Sequence, residues 1–333
     1  MAYRKKISLV IPAYNEQEVL QHLYERLTKL AGETPNYNFE FLFVNDGSRD
    51  KTLEIIKGYA EKDPKVAYVN LSRNFGKETA MIAGLDHVTG DATVIIDADL
   101  QDPPELLGDM MRLMDQGYDV VWGQRIKRHG ETAFKKASAA LFYRLLRHLT
   151  AVPIPPDSGD FRLMSRRVVD VLVAMPERHR FVRGMVSWAG FRQGFVTYER
   201  QPRYAGITKY PWAKMGRLAL DAITSFSTKP LRLATYLGAL CVVLGFVLFL
   251  YVLISWISGN VITGWASVMT AILILGSMQL ILLGVLGEYL GRLFTESKQR
   301  PLYIVQQILR RPKSEFSDKS GEGKADSNAS GLR

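Results

Sequence analysis

Cysteine and histidine are scarce in this chain of 333 residues, which has one cysteine, Cys241, and five histidines. A single cysteine excludes an intrachain disulfide and agrees with a reducing compartment. The histidines are too scattered to indicate a zinc site. The first residues are polar and charged, with no apolar run ahead of a cleavage site, so we expect no signal peptide.

Charged residues and histidine are missing altogether from residues 233–287. A spanning helix takes about 20 apolar residues, so this stretch predicts two transmembrane helices, at about 232–257 and 266–286, joined by a short external turn. A buried helical hairpin of a soluble core is the alternative. Basic residues flank both ends of the stretch, and the positive-inside rule then places both ends, with the amino-terminal domain, in the cytoplasm.

The remaining sequence divides by composition around this apolar stretch. Residues 212–226 have apolar side chains on one face, typical of a helix on a membrane surface or, equally, of one packed on the soluble domain. The tail is too polar to fold alone. We expect five parts: a soluble domain at 1–210, a juxtamembrane helix at 211–230, the membrane hairpin at 231–293, a cytoplasmic segment at 294–312 and a disordered tail at 313–333.

Positive charge is in excess, with a formal net charge of +10. Such an excess favours an anionic membrane surface, a phosphate-bearing substrate or nucleic acid as a partner. The two apolar stretches favour the first two. We expect no nucleic-acid partner, because the sequence has no zinc-ligand, helix-turn-helix or RNA-binding signature.

Strand-like and helix-like runs alternate through the first hundred residues. Short apolar strand patterns occur at 7–12, 39–45, 66–71 and 92–96, each followed by a helical pattern except the last. Asn15, with Glu18 three residues later, predicts a capping box at the start of the first helix. This β-α-β alternation predicts an α/β fold in which helices cover both faces of a mostly parallel sheet.

Polar residues follow three of the predicted strands, where ligands bind in open parallel sheets. They are Tyr14 and Glu16 after the first, Asp46 after the second, and Asp97 and Asp99 after the fourth. Two carboxylates facing one point repel each other unless a cation lies between them, and hard oxygen ligands suit Mg²⁺ or Mn²⁺. An Asp-x-Asp alone equally describes a solvated turn; its position in line with Asp46 and Glu16 favours the metal.

Basic residues cluster after the fifth predicted strand, at 118–122. They are Arg125, Arg128, Lys135 and Lys136. The cluster predicts a site for a phosphate group, although a basic face on anionic lipid explains each member as well.

Six segments together resemble the family 2 glycosyltransferases of GT-A fold, and more narrowly the polyprenyl-phosphate glycosyltransferases. The likeness is greatest to bacterial bactoprenol (undecaprenyl-phosphate) glucosyltransferases and extends to dolichyl-phosphate mannose synthase. The segments are VIPAYNE at 10–16, VNDGS at 44–48, NFGK at 74–77, DADLQDPPE at 97–105, SGDFRLM at 158–164 and GEYLGR at 287–292. The resemblance covers nearly the whole chain and implies a Rossmann-like catalytic domain followed by two transmembrane helices.

The resemblance also implies roles for the donor side of the site. Pro12, Tyr14, Glu16 and Asp46 would hold the uridine of a UDP-sugar, with Asp46 accepting from the uracil N–H. Asp97, Asp99 and Gln101 would hold Mg²⁺ or Mn²⁺ on the donor diphosphate, where the metal stabilises the departing UDP. Arg203 and Lys209 match a loop that closes over the donor phosphates.

On the acceptor side the resemblance places a polyprenyl phosphate at Arg125 and Ser138. No arginine matches the family's second phosphate-binding arginine, so Lys135 or Lys136 would substitute, without the bidentate fork of arginine. Asp160 resembles a proposed active-site aspartate that orients a donor hydroxyl or helps deprotonate the acceptor. A structural ion pair with Arg162 is the alternative.

The implied reaction is inverting transfer of a hexose, glucose by preference, to a lipid phosphate at the cytoplasmic membrane by a homotetramer. Galactose, N-acetylglucosamine or a modified pentose would leave similar motifs. A processive polysaccharide synthase is disfavoured because the Gln-x-x-Arg-Trp string of those enzymes is missing. A nonenzymatic nucleotide-sugar-binding scaffold is disfavoured because Asp46, Asp97 and Asp99 are all present.

Overall fold

The computed structural model describes residues 4–127, 155, 158–178, 180–199, 229–258 and 264–310. The strands are β1 Lys6–Ala13, β2 Asn38–Asn45, β3 Val66–Leu71, β4 Ala92–Ile95, β5 Val120–Lys127, β6 Ser158–Ser165, β7 Gln193–Glu199 and β8 Val305–Leu309. The α-helices are α1 Leu20–Glu33, α2 Thr52–Lys62, α3 Lys77–Leu85, α4 Leu107–Asp115, α5 Arg166–Ala174, α6 Val182–Trp188, α7 Lys229–Ile257 and α8 Trp265–Ser297.

All eight strands form one sheet in the order β7-β5-β6-β4-β1-β2-β3-β8. β1 pairs in parallel with β2 and β4, β2 with β3, and β5 with β7. β6 is antiparallel to β4 and β5, and β8 is antiparallel to β3. The mostly parallel sheet expected from the β-α-β alternation is therefore confirmed, with two antiparallel strands added.

Helices cover both faces of this sheet, because successive residues of its central strands point to opposite sides. In β1, Leu9 and Ile11 belong to one buried cluster with the leucines of α1, whereas Val10 belongs to a second cluster with residues of α3, α5 and α6. The four leucines of α1 are buried at positions 20, 23, 27 and 30. Burying a leucine side chain contributes about 1.5–3 kcal/mol, so this stripe fixes the helix on the sheet.

The predicted capping box at Asn15 and Glu18 is wrong. α1 begins at Leu20, and its N-cap residue, Val19, makes no side-chain cap hydrogen bond. Asn15 instead has a positive φ of 53° and accepts a hydrogen bond from the Arg49 N–H, so its side chain closes the turn after β1. The fifth strand also differs, since it begins at Val120 and continues to Lys127.

β8 is a strand that the sequence did not indicate, and it joins the segment after α8 to the sheet. Four of its five residues pair with Tyr68 to Leu71 of β3, more than two hundred positions away. Two side-chain contacts support this junction. Tyr303 donates a hydrogen bond to Asp86 at 2.6 Å, and the Arg178 N–H donates to the Glu296 carboxylate of α8 at 2.8 Å.

α7 and α8 contain two stretches long and apolar enough to cross a membrane, Ala234–Ser255 and Ile274–Ser297. Both expected spans are present as helices, although α8 continues eleven residues beyond the predicted end at 286. Arg292 pairs with Glu288 one turn away, which lets charge enter this last part of the helix. The expected juxtamembrane helix, external turn and disordered tail lie outside the described residues.

Candidate active site

The candidate site lies at the carboxyl ends of β1, β2 and β4. β1 is the point where the strand order reverses, because β2 and β3 lie on one side of it and β4 on the other. Such a reversal opens a crevice beyond the strand ends, where ligands bind in sheets of this type. The structure therefore brings together the polar residues that follow these strands, as their sequence positions predict.

Asp97 and Asp160 face each other across this crevice. β4 and β6 pair Ile95 with Arg162, and two further residues along this antiparallel register place Asp97 opposite Asp160. The Lys77 ammonium group bridges them, at 2.7 Å from Asp97 and 2.6 Å from Asp160. Lys77 is the first residue of α3, so the helix that follows β3 delivers the cation to the same edge of the sheet.

Asp160 is surrounded by positive charge. Besides Lys77, the Arg183 guanidinium lies 3.0 Å away and that of Arg162 lies 3.5 Å away. Burial raises the pKa of the Asp160 carboxyl, but Lys77, Arg183 and Arg162 outweigh it and hold this pKa well below the usual range. Asp160 is consequently an ionised carboxylate at neutral pH and a weak base.

The ion pair between Asp160 and Arg162, which the sequence analysis gave as the alternative role of Asp160, is thus present. Its distance of 3.5 Å is the longest among the ion pairs of Asp160 with Lys77, Arg183 and Arg162. Arg162 is fully buried against Trp122, 4.9 Å from the ring centroid. Its guanidinium nitrogens have no hydrogen-bond partner among the described residues. A buried arginine of this kind depends on nearby carboxylates for its charge balance.

The Asp-x-Asp segment forms a tight turn after β4. The Asp99 carboxylate accepts the N–H of Gln101 at 3.2 Å, and Leu100 between them has a positive φ of 60°. A leucine rarely adopts this conformation, and such strain concentrates at functional sites. The two carboxylates and the amide of this segment supply hard oxygen atoms, the type of ligand that Mg²⁺ and Mn²⁺ prefer.

Excess negative charge around Asp97 also fits a cation. Burial raises the pKa of Asp97, Lys77 opposes this, and the carboxylates of Asp160, Asp102 and Asp99 raise it further. Among the described residues, no group of three or more His, Cys, Asp or Glu side chains is arranged to hold a metal. Any metal here therefore needs oxygen ligands from elsewhere, as a diphosphate supplies.

Asp46 fixes the loop that leads into α3. Its carboxylate accepts the N–H groups of Phe75 at 2.7 Å and Gly76 at 2.9 Å. Burial raises the pKa of Asp46, and these two hydrogen bonds oppose the rise. Gly47 beside it has φ +64° and lies against the Arg73 backbone, where a Cβ atom would come within 2.4 Å. Asp46 thus positions the NFGK segment that ends in Lys77.

The remaining donor-side residues line the end of β1. Pro12 is paired in the strand with Val44, and Tyr14 and Glu16 follow in the turn. The Glu16 N–H donates to Thr52 at 2.9 Å, which ties this turn to the start of α2. All three predicted residues therefore lie on the same edge as Asp46.

The buried carboxylate of Asp102 pairs with the side chain of Arg125 in β5. The Arg125 guanidinium contacts Asp102 at 3.3 Å and the Tyr198 hydroxyl at 3.2 Å, and Tyr198 also donates to Asp102. Gly159 makes room for it, because a Cβ atom there would come within 2.5 Å of the Arg125 guanidinium. Asp102 links Arg125 to the segment that carries Asp99 and Gln101.

Two family models match this chain. Residues 8–173 match Glycosyl transferase family 2, and residues 229–293 match the GtrB C-terminal hairpin. The chain is 48% identical to the uncharacterized glycosyltransferase YkcC of Bacillus subtilis, over 92% of this chain and 95% of that protein. The chain belongs to glycosyl transferase family 2. It is a glycosyltransferase with the GT-A fold.

Two further relatives of this glycosyltransferase have more specific names. A prophage bactoprenol glucosyl transferase homolog of Escherichia coli is 44% identical, over 91% of this chain and 99% of the relative. The bactoprenol glucosyl transferase of Shigella phage SfV is 43% identical, over 90% and 98%. Among solved structures, mannosyl-3-phosphoglycerate synthase of Rubrobacter xylanophilus has a TM-score of 0.45 at 18% identity, covering 66% of this chain and 72% of that one. That similarity is too low to bear on what the crevice binds.

Five candidate residues of the glycosyltransferase lie outside the described residues. They are Lys135, Lys136 and Ser138 on the expected acceptor side, and Arg203 and Lys209 on the expected donor side. Their roles stay predictions.

Two central residues of the crevice had no predicted role. Lys77 belongs to the NFGK segment. Its position at the start of a helix that follows a strand could have indicated that it lies in the crevice. Arg183 does not follow a strand, so its position in the sequence does not indicate that it lies in the crevice. It reaches Asp160 because α6 packs against α3, a tertiary contact that has no signature in the sequence.

Proposed function

We propose that this glycosyltransferase transfers glucose from UDP-glucose to a polyprenyl phosphate. The observation that carries the proposal is the acidic crevice at the strand-order reversal, in a chain that also has two helices of membrane-spanning length. The names of the bactoprenol glucosyl transferase relatives support both the sugar and the lipid. The matched carboxy-terminal hairpin supports the membrane site of the reaction.

A divalent metal, Mg²⁺ or Mn²⁺, would be held by Asp97, Asp99 and Gln101. The donor set described above fits such an ion, and the donor diphosphate would complete its coordination. When bound, the metal supplies positive charge against the negative charge that develops on departing UDP. Lys77 contacts Asp97 directly, so it would balance the same carboxylates from the protein side.

Asp160 would act as a positioning group rather than a proton acceptor. Three cations keep it ionised, and a carboxylate with a depressed pKa is a poor base. The chemistry needs no strong base, because a phosphate monoester has a second pKa of about 6 and is largely a dianion near neutral pH. Asp160 would instead orient the sugar while it holds Lys77 and Arg183 in place.

The donor nucleotide would occupy the edge formed by β1 and β2. Pro12, Tyr14, Glu16 and Asp46 would hold the uridine, and Arg203 and Lys209 would close over the phosphates.

The acceptor phosphate would approach Arg125, with Lys135, Lys136 and Ser138 around it. Direct attack by the phosphate on the sugar carbon would invert the anomeric centre, giving a β-linked product from an α-linked donor. Because Asp102 joins Arg125 to the Asp99 turn, acceptor and donor sides would be mechanically connected.

The reaction would take place at the cytoplasmic face of the inner membrane. β8 returns to the sheet within eight residues of the end of α8, and these span at most about 28 Å when extended. The end of α8 therefore remains close to the catalytic domain. Small residues along α8, including Gly276, Gly284, Gly287 and Gly291, would permit close packing with other copies, in keeping with a homotetramer.

A transfer assay on the purified full chain tests this proposal. Radiolabelled UDP-glucose, UDP-galactose and UDP-N-acetylglucosamine are each supplied with undecaprenyl phosphate or, as a matched control, undecaprenol. We expect label in the lipid fraction with UDP-glucose and the phosphate only, and a β-anomeric product by NMR. Absence of lipid-linked product with every donor contradicts the proposal.

A further inference from the structure

Tyr198 of β7 lies beside Arg125 of β5 in the sheet. The two strands pair in parallel, and their register sets these residues opposite each other. The Tyr198 ring is buried and meets the ring of Phe161 edge to face, with the centroids 6.2 Å apart. Strand pairing and ring packing therefore fix the position of the Tyr198 hydroxyl group.

This hydroxyl group stands between Arg125 and the buried acid Asp102. It accepts a hydrogen bond from Nε of Arg125 at 3.2 Å and donates one to a carboxylate oxygen of Asp102. The same oxygen accepts from Nη2 of Arg125 at 3.3 Å. Arginine and acid are thus joined by one long direct hydrogen bond and by a second connection that passes through the hydroxyl group.

Another ion pair of this chain shows the arrangement that the hydroxyl group prevents. Nε and Nη2 form one edge of a guanidinium, and a carboxylate frequently accepts from both. Arg26 pairs with Glu105 in this way, at 2.9 Å from Nε and 2.6 Å from Nη2. In the pair of Arg125 with Asp102, the tyrosine occupies Nε, and the second oxygen of the acid has no hydrogen-bond partner among the described residues. Tyr198 therefore holds this pair open.

Arg125 is the member of the cluster that an anion in the crevice can reach. Its side chain is 16% exposed, against 1% for that of Asp102. Its Nη2 lies against Gly159, where a Cβ atom would come within 2.5 Å, and Gly159 is followed by Asp160. An arginine closed on a carboxylate has fewer donors and less charge to offer a phosphate group than one in an open pair. The open arrangement therefore favours phosphate binding at Arg125.

We propose that Tyr198 is a positioning residue: its hydroxyl group keeps Arg125 from closing on Asp102 and leaves the guanidinium available to the phosphate of the lipid acceptor. The inference rests on the proposed function, which supplies the acceptor and places its phosphate at Arg125. Tyr198 acts through Arg125 and does not touch the substrate. The uridine edge lies beyond β6 and β4, at β1 and β2, so donor affinity does not depend on this hydroxyl group.

Transfer kinetics of the full chain in mixed micelles test this with Tyr198→Phe. Phenylalanine keeps the buried ring and its contact with Phe161 and lacks only the hydroxyl group. We expect the KM for undecaprenyl phosphate to rise about tenfold, the effect of one hydrogen bond to a charged group. We expect the Kd for UDP-glucose, measured by calorimetry with saturating Mg²⁺, to stay at the wild-type value.

Tyr37→Phe is the matched control for the loss of a tyrosine hydroxyl group. Tyr37 also donates to a carboxylate, that of Asp115 at 3.0 Å, but this hydrogen bond is exposed at the surface. We expect wild-type values of both the acceptor KM and the donor Kd.

Asp102→Asn tests the mechanism. Asparagine keeps the shape of the side chain but has no charge to draw the guanidinium in. Removing the Tyr198 hydroxyl group from Asp102→Asn should therefore leave the acceptor KM unchanged, whereas a residue that only stabilised the fold would change this KM by the same factor in both backgrounds. The double variant leaves no buried carboxylate short of a partner, so this comparison does not require Tyr198→Phe alone to be stable.

A wild-type acceptor KM in folded Tyr198→Phe overturns the inference, and so does an equal rise of this KM in the wild-type and Asp102→Asn backgrounds. A loss of donor affinity as large as the loss of acceptor affinity also overturns it.

Arg125→Lys separates the inference from the proposed function, because lysine keeps the charge but lacks the bidentate fork. If this variant leaves the acceptor KM unchanged, or if the wild type transfers no sugar, the proposed function fails and the inference fails with it. A raised acceptor KM in Arg125→Lys without one in Tyr198→Phe overturns the inference alone.

Discussion

Asp160 is the residue on which the charges of the crevice converge. It contacts Lys77, Arg162 and Arg183, and Arg162 is fully buried. A buried cation without its partner is far more costly than an exposed one, because water no longer solvates it. The carboxylate of Asp160 therefore stabilises the fold in addition to orienting the cluster.

Asp160→Asn should lower the free energy of unfolding by about 3–5 kcal/mol, since it leaves buried positive charge uncompensated. Chemical denaturation of the purified chain in detergent measures this. Asp170→Asn is the control, because its pair with Arg166 is exposed on α5 and should cost at most about 0.5 kcal/mol. A stability for Asp160→Asn equal to that of the control would show that the three cations do not depend on it.

The positions of the crevice carboxylates were predictable from the sequence, but the cations that pair with them were not. Asp46, Asp97 and Asp99 follow strands, and a strand pattern is local enough to read along the chain. Lys77 and Asp160 are 83 positions apart, and their contact depends on the register of β6 with β4. Register is set by tertiary pairing, so neither the bridge nor the role of Arg183 was predictable.

At the scale of elements, the contact of α3 with β1 determines where Lys77 stands. Gly84 permits this contact, because a Cβ atom there would lie 2.2 Å from Cγ1 of Val10. Val10 is fully buried and cannot move aside freely. Helix and strand therefore approach at a distance that only glycine allows.

Gly84→Ala should destabilise the fold by about 1–3 kcal/mol, because the added methyl group forces α3 away from the sheet. Gly58→Ala in α2 is the matched control, since nothing lies within 4 Å of its added carbon and it should be neutral or stabilising by up to about 1 kcal/mol. Thermal unfolding of both variants distinguishes them. Removing the clash with Val10→Ala in Gly84→Ala should restore part of the loss; equal melting temperatures for the two glycine variants would contradict this.

The helical elements were predictable where apolar residues recur at helical spacing, as in α1. The capping of α1 was not predictable, because the Asn15 side chain instead accepts the Arg49 N–H in the turn after β1. β8 escaped prediction for another reason. Its sequence, VQQIL, neither alternates nor forms an apolar run, and its partner strand lies in the first quarter of the chain.

At the scale of the whole molecule, the sheet contains seven strands that precede the α7–α8 hairpin in the sequence and one strand, β8, that follows it. α7 and α8 have 29 and 33 residues, lengths of about 44 and 50 Å, sufficient to cross the hydrocarbon core. Since β8 follows α8 and pairs with β3, the end of α8 is tied to the sheet of the catalytic domain. The proposed topology, with both ends of the hairpin on the cytoplasmic side, agrees with this pairing.

Cysteine labelling in intact cells checks this topology. In a Cys241→Ser background, Ser258→Cys at the end of α7 should react with a membrane-impermeant maleimide from outside. Arg300→Cys, after α8, should react only once the membrane is permeabilised. Labelling of Arg300→Cys in intact cells would contradict the cytoplasmic orientation.

The central claim is that the Asp99 turn is the place where a metal assists sugar transfer to a lipid phosphate. It is tested most directly by the rate at which label passes from UDP-glucose to undecaprenyl phosphate in Asp99→Asn, with Mg²⁺ or Mn²⁺ titrated. Removing a carboxylate ligand should lower kcat at least about a hundredfold, a typical loss for one group that stabilises developing charge. Asp109→Asn, an exposed substitution on α4, should retain full activity. Turnover by Asp99→Asn equal to that of Asp109→Asn would contradict the account.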